Sequence, residues 1–150
     1  MVDHNLWLIE LAERRNSRLA LGPFEQLSQP ERVFRCVWDL EAQVNNGGFE
    51  QYFFNSSGDH SHFALEALTC VGALQMRGIV QQAFDLVGAV ALERDMSTRQ
   101  GLLLDMTEDQ QEGLEQMDQA YLAYPDDLTK LLFEYVQAHR TSFAGSRGPG

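Results

Sequence analysis

Glu41-Ala42-Gln43-Val44-Asn45-Asn46-Gly47-Gly48-Phe49-Glu50-Gln51-Tyr52-Phe53-Phe54-Asn55 is the stretch from which the architecture can be read. Its first residues end a helical period that begins near Gln29, and Asn45 through Gly48 interrupt it with residue types that tolerate left-handed backbone. Phe49, Tyr52 and Phe53 then resume helical spacing over Phe49 to Phe54, and Asn55 to Asp59 reads as a loop. Helix, corner, short helix is therefore the predicted order, with Phe49, Tyr52, Phe53 and Phe54 entering the core and Asn45 and Asn46 capping backbone groups at the corner.

Upstream, Ser28-Gln29-Pro30-Glu31 supplies a complete start signal: a Ser cap, a Glu three residues on to bond back, and a Pro in the first turn. A first helix is expected over Val2 to Leu19, with Arg14, Arg15 and Arg18 near its C-terminal end and Gly22-Pro23 closing it. Downstream, helical spacing runs from His60 through Phe63, Ala67, Cys70, Val71 and Leu74, with a break expected near Arg77-Gly78 and a further helix over Ile79 to Leu92. Leu102-Leu103-Leu104 has no period, so Ser97 to Asp105 stays unassigned. Thr107-Glu108-Asp109-Gln110 repeats the capping signal and opens a helix to about Tyr124, Pro125 punctuates, and a last helix ends at His139. No strand pattern is present. The expectation is a single compact all-α domain over residues 1–143, of six or seven helices, with 144–150 a disordered tail.

Composition restricts function. Of 150 residues, 22 are acidic and 11 basic, for a formal net charge of −11. A protein that grips nucleic acid needs clustered bases to displace counterions, and here one Lys and ten Arg are scattered. Direct nucleic-acid binding is thus disfavoured, as is an anionic membrane surface. Hydrophobic residues at 44% and aromatics at 10% are enough for an ordinary core. Cys36 and Cys70 lie in apolar stretches without C-x-x-C spacing and read as buried thiols. Neither a signal peptide nor an anchor is visible, which makes the cytoplasm the expected address.

The charge is unevenly placed. Residues 1–35 carry five acids and five bases, whereas Asp105 to Asp127 contains eight acids and no base. At about 100° per residue, Glu108, Asp109, Glu112 and Glu115 fall in a sector of about 120°, opposite Leu114, Met117, Tyr121 and Tyr124. From Glu108 to Asp118, five carboxylates span ten residue steps, about 15 Å at 1.5 Å rise. One charge per roughly 3 Å approaches the ~3.4 Å phosphate spacing of a DNA strand. An acidic first turn and a charged outer face also serve the dipole and solubility. An ordinary solvated helix, however, mixes signs at i,i+4 spacing, and this one does not. The carboxylates Asp105, Glu108, Asp109, Glu112, Glu115, Asp118, Asp126 and Asp127 are the candidate partner-binding groups, with Asp39, Glu41, Glu50 and Asp59 as possible extensions.

At Glu41-x-x-x-Asn45-Asn46-Gly47-Gly48-Phe49-x-Gln51-Tyr52-Phe53-x-Asn55 the chain resembles the DNA mimic protein 19-like family of small all-helical bacterial proteins. Ala64-Leu65-x-Ala67-Leu68-x-x-x-Gly72-Ala73 and a weaker Tyr124-x-x-Asp127-Leu128 with Leu131 and Tyr135 extend the resemblance to roughly Glu31 to Arg140. It implies a helical protein that presents carboxylates where duplex DNA presents phosphates, and so occupies the DNA-binding surface of a transcription factor or another basic DNA-binding protein. It also implies a homodimer, whose two copies would lengthen the charged track.

Two other functions fit the residues. Glu41, Asn46, Gln51 and Asn55 could converge on a small ligand in a binding or enzymatic pocket, although amides do not shuttle protons near neutral pH and no nucleophile with a base accompanies them. A helical module recognising its partner through apolar contacts is the other. Asp59, His60, His62 and Glu66 lack the further ligands of a recognisable metal site and read as caps at a loop-to-helix junction. No catalytic residue, metal or cofactor is expected.

Overall fold

The computed structural model describes residues 3–13, 19 and 22–143. The expected Val2 start, the Arg14, Arg15 and Arg18 helix end and the tail over 144–150 lie outside these residues. Among the described residues the chain is all-α, without strands, in one compact domain of eight helices. These are α1 (His4–Ala12), α2 (Gln29–Phe54), α3 (Ser61–Val71), α4 (Leu74–Val87), α5 (Met96–Leu104), α6 (Glu108–Leu122), α7 (Leu128–Ala138) and α8 (Arg140–Phe143). Short 3-10 turns cover Phe24–Gln26, Ser56–His60 and Gly88–Ala91.

α2 is the spine. The expected capping box forms at its start: Glu31 N–H donates to Ser28 Oγ at 3.3 Å and Ser28 N–H to Glu31 Oε1 at 3.0 Å. Its inward positions, Val33, Phe34, Val37, Leu40 and Val44, recur at helical spacing and are nearly inaccessible, so each is fully desolvated by the helices around it. α3, α5, α6, α7 and α8 all pack on this helix. α1 docks on α7, where the His4 ring stacks on Phe133 at 4.0 Å and Trp7 meets it edge-on.

The expected corner is present but shifted. Asn45 and Asn46 remain in the helix, exposed and without side-chain hydrogen bonds among the described residues, and the break falls on Gly47 (φ −157°, ψ 18°) and Gly48 (φ 77°, ψ −176°). The asparagines therefore do not cap. Helical geometry resumes at Phe49, with Phe49, Tyr52 and Phe53 buried and Phe54 46% exposed, against the expectation that all four enter the core.

The break expected at Arg77-Gly78 lies instead at Gly72, whose φ of 83° lets it close α3. Gly72 N–H donates to Thr69 O at 3.0 Å and Ala73 N–H to Leu68 O at 2.9 Å, which satisfies carbonyls that a helix end otherwise leaves open. Gly78 sits inside α4 on an open surface. The unassigned stretch is α5, started by Asp95, whose Oδ2 accepts from Thr98 N–H at 2.9 Å.

Candidate functional site

The acidic face is built on α6. Thr107 Oγ1 accepts from Gln110 N–H at 3.1 Å, and Gln110 Oε1 accepts from Thr107 N–H at 2.8 Å, so the predicted capping box fixes where the helix begins. Leu114 and Tyr121 are buried and Met117 is half-buried, which turns the opposite sector outward. Glu108, Asp109, Glu112 and Glu115 are all exposed on that sector, and Asp105 is exposed at the end of α5 just before it. Among the described residues, none of these five carboxylates has an ion-pair partner; the ion pairs are Arg99–Asp59 and Lys130–Glu134.

The other three candidates have structural roles. Asp118 Oδ1 accepts from Phe49 N–H at 2.8 Å, so a carboxylate from α6 caps the helix that restarts after the Gly48 kink. Burial, together with the charges of Glu115 and Glu50, raises the Asp118 pKa against the lowering effect of that hydrogen bond. Glu115 on α6 and Glu50 on α2 therefore both lie near enough to Asp118 to act on its carboxylate. Asp126 Oδ2 accepts from Met76 N–H at 2.8 Å in the first turn of α4. Asp127 Oδ1 caps its own helix through Lys130 N–H at 3.1 Å.

The motif residues divide into two groups instead of converging on one pocket. Gln43 Oε1 accepts from Gln51 Nε2 at 2.8 Å and from Asn55 Nδ2 at 2.9 Å, an amide cluster that ties the two halves of α2 together across the kink. Gly47 leaves room for this cluster, since a Cβ there would lie 2.0 Å from Gln51 Oε1. Glu41 faces elsewhere. Its two carboxylate oxygens accept from the Tyr121 and Tyr124 hydroxyls, each at 2.6 Å. Burial, followed by the adjacent Glu41, pushes the Tyr121 hydroxyl well above its ordinary pKa and raises that of Tyr124 as well. Tyr124 also has the positive φ of 50° found at no other non-glycine among the described residues.

The histidine junction differs from expectation too. Among the described residues no group of three or more His, Cys, Asp or Glu is placed to hold a metal. The His60 side chain does not cap α3; its ring stacks on Phe24 at 3.9 Å, and burial lowers its pKa. Asp59 pairs with Arg99 at 2.8 Å.

Asp39 is half-buried beside Arg35, and desolvation pushes its carboxyl up to about 6 from an ordinary 3.8, so it does not extend the exposed footprint. A raised folded-state pKa contributes stability that is complete below 3.8 and is lost as pH rises through about 6. Asp39→Asn should therefore raise the unfolding free energy at pH 7 by about 1–3 kcal/mol. The gain should vanish by pH 4. Urea unfolding at pH 4, 5 and 7 checks this, and an equal gain at every pH would remove burial of charge as the cause.

Sequence reasoning missed Arg99. Its side chain is fully buried, and it donates to the carbonyls of Phe53, Asn55 and Glu93 as well as to Asp59. Gln100 Nε2 reaches Phe54 O at 2.8 Å, and Ser57 Oγ reaches Tyr52 O at 2.8 Å. The last carbonyls of α2 are thus satisfied by side chains from other elements. No local pattern reported it, since an arginine ordinarily reads as surface.

The fold and this face define a small helical protein whose acidic residues on α6 are exposed without an ion-pair partner among the described residues, beside the glycine kink of α2. The chain belongs to the DMP19-like protein family, whose model matches residues 25–139. No curated protein and no solved structure gave a significant match. No helix among the described residues is long and apolar enough to cross a membrane.

Proposed function

We propose that the protein binds the DNA-binding surface of a basic partner, such as a transcription factor, and competes with DNA for it, acting as a non-catalytic protein ligand. One observation carries this reading: Glu108, Asp109, Glu112 and Glu115, with Asp105 beside them, are exposed together and have no cation partner among the described residues. Membership of the DMP19-like family supports it. Holding like charges side by side costs self-repulsion, which a basic surface relieves on contact. Such a surface also steers encounter, and its effect falls as salt screens it over the Debye length of about 10 Å at 0.1 M. Pairing of two copies would lengthen the track.

Capture from a cell lysate tests the proposal. The protein should recover a DNA-binding protein at low salt, release it as salt rises, and lose it to added duplex DNA. The variant Glu108→Gln/Asp109→Asn/Glu112→Gln/Glu115→Gln should bind at least tenfold more weakly, while its circular dichroism remains helical. Equal capture by that variant, or a partner held regardless of salt, would overturn the proposal and favour recognition through apolar contacts.

A further inference from the structure

We propose that the groove between α1, α2 and α7 binds a small organic ammonium ion, an amine on a compact apolar body. The groove encloses about 190 Å³ and lies away from the amide cluster of the kink. Its floor is apolar: Leu8, Val37 and Leu132 line it, each no more than 3% exposed. Trp38 and Glu41 lie in its wall, one turn apart on the same face of α2.

Glu41 sets the charge of the ligand. A carboxylate offers about four acceptor sites, and the Tyr121 and Tyr124 hydroxyls occupy two of them. No cationic side chain among the described residues pairs with Glu41, so one anionic group bordering an apolar floor lacks a counter-charge. An ammonium group supplies that charge and up to three N–H donors, while Trp38 offers an indole surface that favours a cation. An anion would be repelled by Glu41, and a neutral molecule would gain burial and ordinary hydrogen bonds but not the charge-assisted one that an ammonium makes to the carboxylate. Asn5, Asn45 and Thr129 are the other polar side chains of the lining, and Glu41 is its one carboxylate, a poor donor set for a hard cation that takes six or more oxygen ligands, several of them carboxylate.

Size narrows the class. At about 190 Å³ the groove falls below the roughly 300 Å³ at which drug-sized pockets begin, which suits a compact monoamine. The tyrosine clamp gives the site its rigidity, because it fixes the Glu41 carboxylate from two directions before any ligand arrives. The site meets α6 through Tyr121, on the side opposite the acidic face. It does not require the DNA-competing role to be correct.

The probe is cyclohexylamine, added to the full-length protein in 0.3 M NaCl so that weak adsorption to the acidic surface is screened. Amide chemical shifts should move saturably at α1, around Trp38 and Glu41, and at the start of α7. Cyclohexanol, of the same size but neutral, should bind at least tenfold more weakly, and cyclohexanecarboxylate should leave the shifts unmoved. Glu41→Gln, which keeps one acceptor oxygen for a tyrosine hydroxyl while its amide N–H2 can donate to the other, should weaken cyclohexylamine at least tenfold. Trp38→Leu provides a second variant should Glu41→Gln disturb folding. Equal binding of cyclohexanol, or shifts confined to the carboxylates of α6, would overturn the assignment.

Discussion

Arg99→Met is expected to lower the unfolding free energy by about 3–5 kcal/mol, the scale for removing one partner of a buried ion pair. The side chain is fully buried and its guanidinium serves four acceptors: Phe53 O through Nε, Glu93 O at 2.8 Å through Nη1, and both Asn55 O and Asp59 Oδ1 at 2.8 Å through Nη2. Methionine fills comparable volume but donates to none of them. The carbonyls of Phe53, Asn55 and Glu93 lose these bonds, and each buried acceptor left unpaired costs about 1–3 kcal/mol. Asp59 suffers less, because it is 34% exposed and can return to water.

Arg99→Lys distinguishes charge from geometry. Lysine keeps the positive charge at the C-terminal end of α2, where the dipole favours it. It cannot reproduce a planar fork that reaches the α2 terminus, the 56–60 turn and the Glu93 carbonyl together. More than half of the Met effect should therefore persist in the Lys variant. Urea unfolding of both variants beside Asp59→Asn measures the order, expected to be Met, then Lys, then Asn from most to least destabilised. A Lys variant as stable as the parent would mean that charge alone matters here.

Arg99 also marks where the sequence stops being informative. Helices with their own period and caps, such as α6 behind Thr107 and α7 behind Asp127, can be read locally because local hydrogen bonds decide their ends. α5 could not be read. Its Leu102-Leu103-Leu104 run has one fully buried member, Leu103, while Leu104 is 84% exposed, so apolarity does not mark its inner face. That face is instead defined by Leu103 and a buried arginine, and the arginine's burial depends on carbonyls more than forty residues away in sequence.

The same limit applies to the charged residues. The outward sector of α6 follows from helical spacing alone, so Glu108, Asp109, Glu112 and Glu115 could be placed together without coordinates. Asp118 and Asp126 could not be separated from them. Each caps a helix other than its own, across 69 and 50 residues respectively, and no local pattern reports such a contact. Gly72 and Gly78 give a third case. The sequence pattern places the helix end near Gly78 and runs the period through Gly72, but Gly72 has the left-handed φ and the closing hydrogen bonds, whereas Gly78 is tolerated inside α4, at a cost of about 1 kcal/mol relative to alanine.

Gly48→Ala is the second substitution with a large expected effect, about 3 kcal/mol or more, because two independent penalties meet at one atom. Gly48 has φ 77° and ψ −176°, a combination essentially reserved for glycine, and a side chain there carries strain of about 1–3 kcal/mol. An added Cβ would also lie 2.4 Å from Asp118 Oδ2. The carboxylate must move away, which breaks its bond to Phe49 N–H and removes a cap worth about 1 kcal/mol.

A double-mutant cycle separates these penalties. Asp118→Ala alone removes the cap, and Gly48→Ala made on that background should retain only the backbone strain. The two changes together should thus cost about 1 kcal/mol less than their sum. Full additivity would show that Asp118 does not hold the kink. The cycle also bears on binding, because Asp118 joins the acid-bearing helix to the segment that carries Glu50. Gly48→Ala should weaken capture of a basic partner even though every exposed carboxylate of α6 is retained. A variant that loses stability but keeps full affinity would confine the recognition surface to α6 itself and remove Glu50 and Asp118 from the footprint.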